Sequence, residues 1–155
     1  MVRIEEVLTQ KNIPHRLIEL RQEAFTVDDV VNFSKGDINP SEICKTIILK
    51  GKKSGKRYAI LLRGSDRLNF SAAKQLLGEE MRIGDAGDVK EVTGVEPGAV
   101  CPFLLDVPLF VDKRVLELEN INCGSGEHLY GLEFVPEDLG KGVSYQVGDF
   151  AKEAT

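Results

Sequence analysis

The feature that most constrains this chain is a pair of β-rich runs, residues 43–50 and 57–63, joined by Gly51-Lys52-Lys53-Ser54-Gly55-Lys56. Aliphatic residues dominate both runs, and the connection carries two glycines among polar residues, which reads as a hairpin. In a strand alternate side chains share a face, so Ile43, Lys45, Ile47 and Leu49 point the same way. A lysine among three aliphatics either snorkels at the strand end or is held there for a purpose.

Shorter elements surround the hairpin. Ile4, Val7 and Leu8 fall at helical spacing, Asn12-Ile13-Pro14 ends that helix, and 15–20 alternates like a strand. Thr26 followed by Asp29 forms a capping pattern ahead of Val27, Val30, Val31 and Phe33. Ser71 is expected to cap a helix through Leu77, closed by Gly78. Residues 79–83 read as a strand and 88–92 as a helical turn. Strands are expected over 107–111, 120–123 and 130–135, with Pro136 opening a turn that leads to Leu139. Hairpins and short helices interleave without regular βαβ units, which predicts a mixed α/β fold. The 155 residues form one domain by size, 1–155, with 141–155 expected as a loosely docked tail because its apolar period is weak.

No apolar run approaches the ~20 residues of a membrane helix, and acids stand where a targeting peptide would be basic, so a cytoplasmic location is expected. Three cysteines (Cys44, Cys101, Cys123) and two histidines (His15, His128) lack metal-site spacing, so neither a metal nor a cofactor is expected. The net charge is −5, yet residues 45–74 hold nine basic residues against Asp66, leaving +8 there and −13 elsewhere. Lys50, Lys52, Lys53, Lys56, Arg57, Arg63 and Arg67 of this segment are candidates for contact with a phosphate backbone; a solvated lysine-rich hairpin is the alternative.

Three further features can carry chemistry. The stretch Thr93-Gly94-Val95-Glu96-Pro97-Gly98-Ala99-Val100-Cys101-Pro102-Phe103 has two glycines and two prolines, so it describes a loop of fixed shape. Its N–H groups can hold an anion or a carbonyl oxygen, or it can be a plain turn. His128 precedes a well-patterned strand and either hydrogen-bonds a substrate or serves as a base, or is an exposed turn residue. Cys101 with His128 raises a nucleophilic thiol, against which stands the apolar setting of Cys101.

Cys44-Lys45-Thr46-Ile47-Ile48-Leu49-Lys50, the strand ending near Arg63-Gly64, the 93–103 loop and Val107-Pro108-Leu109-Phe110-Val111-Asp112 are similar, in order and spacing, to the YbaK/prolyl-tRNA-synthetase-associated editing domain family. The likeness is strongest from Cys44 to Leu139. It implies a strongly bent, barrel-like mixed sheet flanked by helices. It also implies hydrolysis of the ester joining a mischarged small amino acid (alanine, cysteine or serine) to the 3′-terminal adenosine of tRNA. Its partners would be aminoacyl-tRNA and, beyond it, an aminoacyl-tRNA synthetase. On this resemblance Lys45 and Gly94 belong to the catalytic set, and Thr46, Pro97, Gly98, Ala99 and His128 bind substrate. Ala99 and Leu104 stand where many relatives carry glycine, which predicts added bulk at the pocket. A tRNA- or synthetase-binding module without catalysis, and a Cys–His hydrolase, remain the rival readings at this point.

Overall fold

The computed structural model describes residues 3–153. Helix α1 (Arg3–Gln10) buries Ile4 and Leu8, and strand β1 (Arg16–Glu19) follows. Helix α2 (Val27–Phe33) starts at Thr26, whose hydroxyl accepts the Asp29 N–H at 3.1 Å, as the capping pattern predicts. The expected hairpin is present as β2 (Cys44–Gly51) and β3 (Arg57–Arg63), antiparallel with Lys45 opposite Leu62. After it come β4 (Asp66–Leu68), α3 (Phe70–Leu77), β5 (Met81–Ile83) and α4 (Ala86–Thr93). The second half contains β6 (Leu109–Asp112), β7 (Ile121–Gly124), β8 (Tyr130–Phe134), α5 (Leu139–Gly142), β9 (Tyr145–Gly148) and β10 (Ala151–Glu153).

The cap of α3 is Asn69, which accepts the Ala72 N–H, and not Ser71 as expected. Asp85 and Asp88 close a reciprocal capping box, so α4 begins before the helical turn read from sequence.

The fold is mixed α/β, built on a five-stranded sheet in the order β5-β2-β3-β6-β9. Its β2–β3 and β2–β5 pairs are antiparallel, while β3–β6 and β6–β9 are parallel. A three-stranded sheet, β1-β8-β7, and a two-stranded one, β4-β10, complete it. The expectation of a barrel-like sheet is corrected here: β5 and β9 remain edges and the sheet does not close.

Both faces of the central sheet are buried. Ala59 and Leu61 of β3 face one apolar cluster with α1, α4, β7 and β8, while Ile60 and Leu62 face another with α3, β4 and β10. All four are 0% exposed, as the period of two in a fully covered strand requires. A parallel bridge between Ile43, just before β2, and Asn122 of β7 links the central sheet to the three-stranded sheet, and the two also pack together through the first apolar cluster.

The segment expected as a loose tail is tied in over its described part. Strand β9 pairs with β6, β10 pairs with β4, and Phe150 between them is 1% exposed. The anchor is Asp112, 0% exposed, whose Oδ1 accepts the N–H groups of Phe150 (2.8 Å) and Ala151 (3.0 Å). Its Oδ2 accepts the Arg114 N–H at 3.1 Å. Weak apolar period hid this segment because its strands are short and held by one distant carboxylate. Asp112→Ala leaves the Phe150 and Ala151 N–H groups buried without an acceptor and is expected to cost roughly 2–4 kcal/mol. Urea unfolding measures this, and an unchanged midpoint would remove Asp112 as the anchor.

Candidate active site

The seam between the two larger sheets opens into a cavity of about 180 Å³. Its walls come from the start of β2, from β7, from the 24–30 segment that leads into α2, from Gly98 and Val100, and from Glu127 and His128. Apolar side chains, cysteines and glycines together make up most of this lining, so polar groups within it stand out.

Lys45 and Thr46, near the start of strand β2, line the cavity. The Lys45 amine donates to the carbonyl oxygens of Asp66 (2.6 Å) and Gly64 (3.3 Å), so it ties the β3–β4 turn to the cavity rim. An ammonium has three N–H bonds, and two are used. Partial burial lowers the Lys45 pKa from its ordinary value, the Asp66 charge opposes this, and Arg67 adds to the lowering. Lys45 thus reaches out of the apolar strand to backbone carbonyls, as the snorkelling reading has it, while lining the cavity.

His128 is clamped to Ala24. Its Nδ1 lies 3.0 Å from the Ala24 carbonyl oxygen, and its own carbonyl accepts the Ala24 N–H at 3.0 Å. A carbonyl only accepts, so Nδ1 carries the proton, and in the neutral ring Nε2 is left as a lone-pair acceptor. The ring lies against Phe25 with centroids 4.4 Å apart. Nε2 is buried without a hydrogen-bond partner, and so are Thr46 Oγ1 and Asn122 Nδ2. All three residues line the same cavity. Buried polar atoms are normally paired, so three unpaired ones around one cavity make it the candidate site for a polar ligand. Asn122 escaped sequence reading: an asparagine in a strand has no spacing signal, and its value appears only once its lack of a partner is known.

The 93–103 loop is placed differently from expectation. Gly94 is the left-handed cap of α4 (φ 78°), does not line the cavity, and its N–H donates to the Lys90 carbonyl at 2.8 Å. The Val95 N–H goes to Thr93 Oγ1 and the Ala99 N–H to the Glu96 carbonyl, so these expected oxyanion donors are taken. Pro97 and Ala99 do not line the cavity either, and Ala99 is 1% exposed. Leu104 borders a separate cleft beside Thr93 and Gly126, so neither Ala99 nor Leu104 adds bulk to the main pocket. Gly98 does reach it, at φ +100°, packed so closely that a Cβ would lie 2.6 Å from Phe25 Cα. Its N–H donates to no group among the described residues.

The basic segment is compensated in space. Lys50 and Arg57 face Asp88 (3.5 and 3.9 Å), Arg57 pairs with Glu91 at 2.8 Å, Lys52 with Glu80 at 4.0 Å, and Arg63 with Asp66 at 2.8 Å. Most of these acids lie at 80–91, just outside the stretch whose charge was counted. Lys53, Lys56 and Arg67 make no ion pair within 4.0 Å among the described residues. Lys52, Lys53 and Lys56 sit at the hairpin tip, about 20 Å along β2 from Lys45 at ~3.3 Å per residue.

The thiols are poorly suited to nucleophilic attack. Burial pushes the Cys44 and Cys101 pKa values up to about 12 and the Cys123 value well above ordinary, and Cys101 lies outside the cavity that His128 lines. The Cys–His reading falls on both counts. The native protein at pH 8 is expected to leave all three thiols unlabelled by a disulfide reagent, while the unfolded chain titrates three. Above the ordinary thiol pKa the unfolded chain loses protons that the folded one keeps, so these thiols lower stability as pH rises. Fast labelling of native protein would reverse this conclusion.

Residues 21–141 match the family model described as the aminoacyl-tRNA editing domain. The chain is 33% identical over 115 residues to the proline–tRNA ligase of Thermoanaerobacter sp. (strain X514), covering 71% of this chain and 20% of that one. It is 31% identical over 137 residues to that of Shouchella clausii (strain KSM-K16), covering 86% and 23%. The chain therefore spans about a fifth of the length of these curated relatives. Among solved structures it is similar to hypothetical protein APE2540, with a TM-score of 0.84, 29% identity and coverage of 96% and 99%. The fold is shared with a candidate trans-editing enzyme for prolyl tRNA synthetase, at a TM-score of 0.78, 23% identity and coverage of 97% and 95%. The chain belongs to the aminoacyl-tRNA editing domain family.

Proposed function

We propose that this chain is a trans-editing hydrolase that removes a small amino acid, of the alanine, cysteine or serine class, from mischarged tRNA. The observation that carries the reading is the 180 Å³ cavity bordered by Lys45, Thr46, Gly98 and His128 in a chain of this family. Drug-sized ligands occupy roughly 300–1,000 Å³. This cavity suits one small side chain and its reacting ester, with the nucleotide remaining outside.

The chemistry asks little of the protein. Water adds to the ester carbonyl, the carbon–oxygen bond to the ribose breaks, and the ribose oxygen takes up a proton as the amino acid leaves. An aminoacyl ester is already activated, so positioning and oxyanion stabilisation suffice. The available donors are the third Lys45 N–H and the Gly98 N–H. His128 Nε2 accepts from the substrate. Lys45 also supplies positive charge for the terminal nucleotide, and Arg67, whose charge is felt at Lys45, extends that field.

Release of amino acid from a panel of mischarged tRNAs tests this reading. Lys45→Ala is expected to lower kcat/KM by roughly 10–100-fold, the effect of losing a hydrogen bond to a charged group. Cys101→Ala should largely keep turnover. No release by wild-type protein, with tRNA binding retained, would establish the non-catalytic module in place of the hydrolase.

A further inference from the structure

We propose that Asn122, together with Thr46, determines specificity by hydrogen-bonding a side-chain hydroxyl, so that the amino acid removed is serine or threonine and not alanine. This rests on the hydrolase reading and revises its substrate from the alanine, cysteine or serine class to the hydroxyl amino acids. Asn122 is 2% exposed, on β7 at the bridge to Ile43 where the two larger sheets meet. Its Nδ2 is buried without a partner, and no side-chain hydrogen bond to its amide forms among the described residues. Thr46 Oγ1, across the seam on β2, is in the same state. Both residues line the cavity.

Every aminoacyl-tRNA brings an α-ammonium, an ester carbonyl and ribose hydroxyls, so the question is which part meets these atoms. Exposure separates them: Phe25 is 49% exposed at the cavity rim and Asn122 2% exposed at the seam, so the ester and ribose are assigned to the Lys45 side and the amino-acid side chain to Asn122 and Thr46. An amide and a hydroxyl each donate and accept, which is the complement of an alcohol. A methyl group there would displace solvent and leave both protein groups unpaired, whereas a serine or threonine hydroxyl pairs them. Sites built around such a hydrogen bond reject the analogue that lacks it far better than apolar pockets sort by size. Val27, Val30 and Ile43 also line the cavity and offer an aliphatic surface to the threonine methyl.

The experiment compares kcat/KM on Ser-, Thr-, Ala- and Cys-tRNA carrying the same tRNA body, for wild type, Asn122→Ala and Thr46→Val. Wild type is expected to favour a hydroxyl substrate over alanine by roughly tenfold or more. Each variant should reduce that ratio by about tenfold, whatever happens to the absolute rate. Thr46→Val is near-isosteric and keeps the measurement available where Asn122→Ala fails to fold. Equal or better turnover of Ala-tRNA by wild type, or a ratio unchanged in the folded variants, overturns the inference and leaves the hydrolase standing. Absence of turnover on all four substrates overturns both.

Discussion

The structure depends on a strand pair buried on both faces. Once β2 and β3 are covered by apolar clusters on either side, no polar side chain can sit mid-strand without losing its hydration. Polar groups on β2 are therefore pushed to its ends. Lys45 and Thr46 occupy one end and Lys50 the other, with Ile47, Ile48 and Leu49 between them. The polar end that meets β7 becomes the cavity, and the other end becomes an ion-paired surface against Asp88. Site and scaffold thus follow from one constraint.

That same constraint explains what was legible in the sequence. The hairpin, the Thr26 cap and the Gly78 terminus are local, each written in a few adjacent residues, and they are present. Lys45 stood out because a cation conflicts with its aliphatic neighbours. Features that depend on distant partners were not readable. The charge of residues 45–74 looked like an exposed cationic face because its compensating acids arrive with β5 and α4. Strands β9 and β10 looked like a tail because Asp112, more than thirty residues earlier, holds them. The resemblance puts Gly94 in the catalytic set, but a glycine at a helix terminus and one against a ligand look alike in sequence. Asn122 was invisible for the opposite reason: what marks it is the absence of a partner.

Lys45 joins the local and the distant halves of the site. Its amine is held by two carbonyl oxygens of the β3–β4 turn, which favour the charged form, while burial disfavours it. Burial prevails, and the ammonium is left less stable than an exposed one. A phosphate or ribose oxygen at the rim would supply the missing stabilisation. On the proposed reading, tRNA docking and the charge on Lys45 are then linked, since an anion that prefers the ammonium must raise its proton affinity by the same free energy. The turn carbonyls keep the amine at the rim in the absence of substrate, so little side-chain entropy is lost when the tRNA end arrives. On the proposed reading, a residue that first stands out as misplaced in an apolar strand is the group around which the end of that strand is arranged.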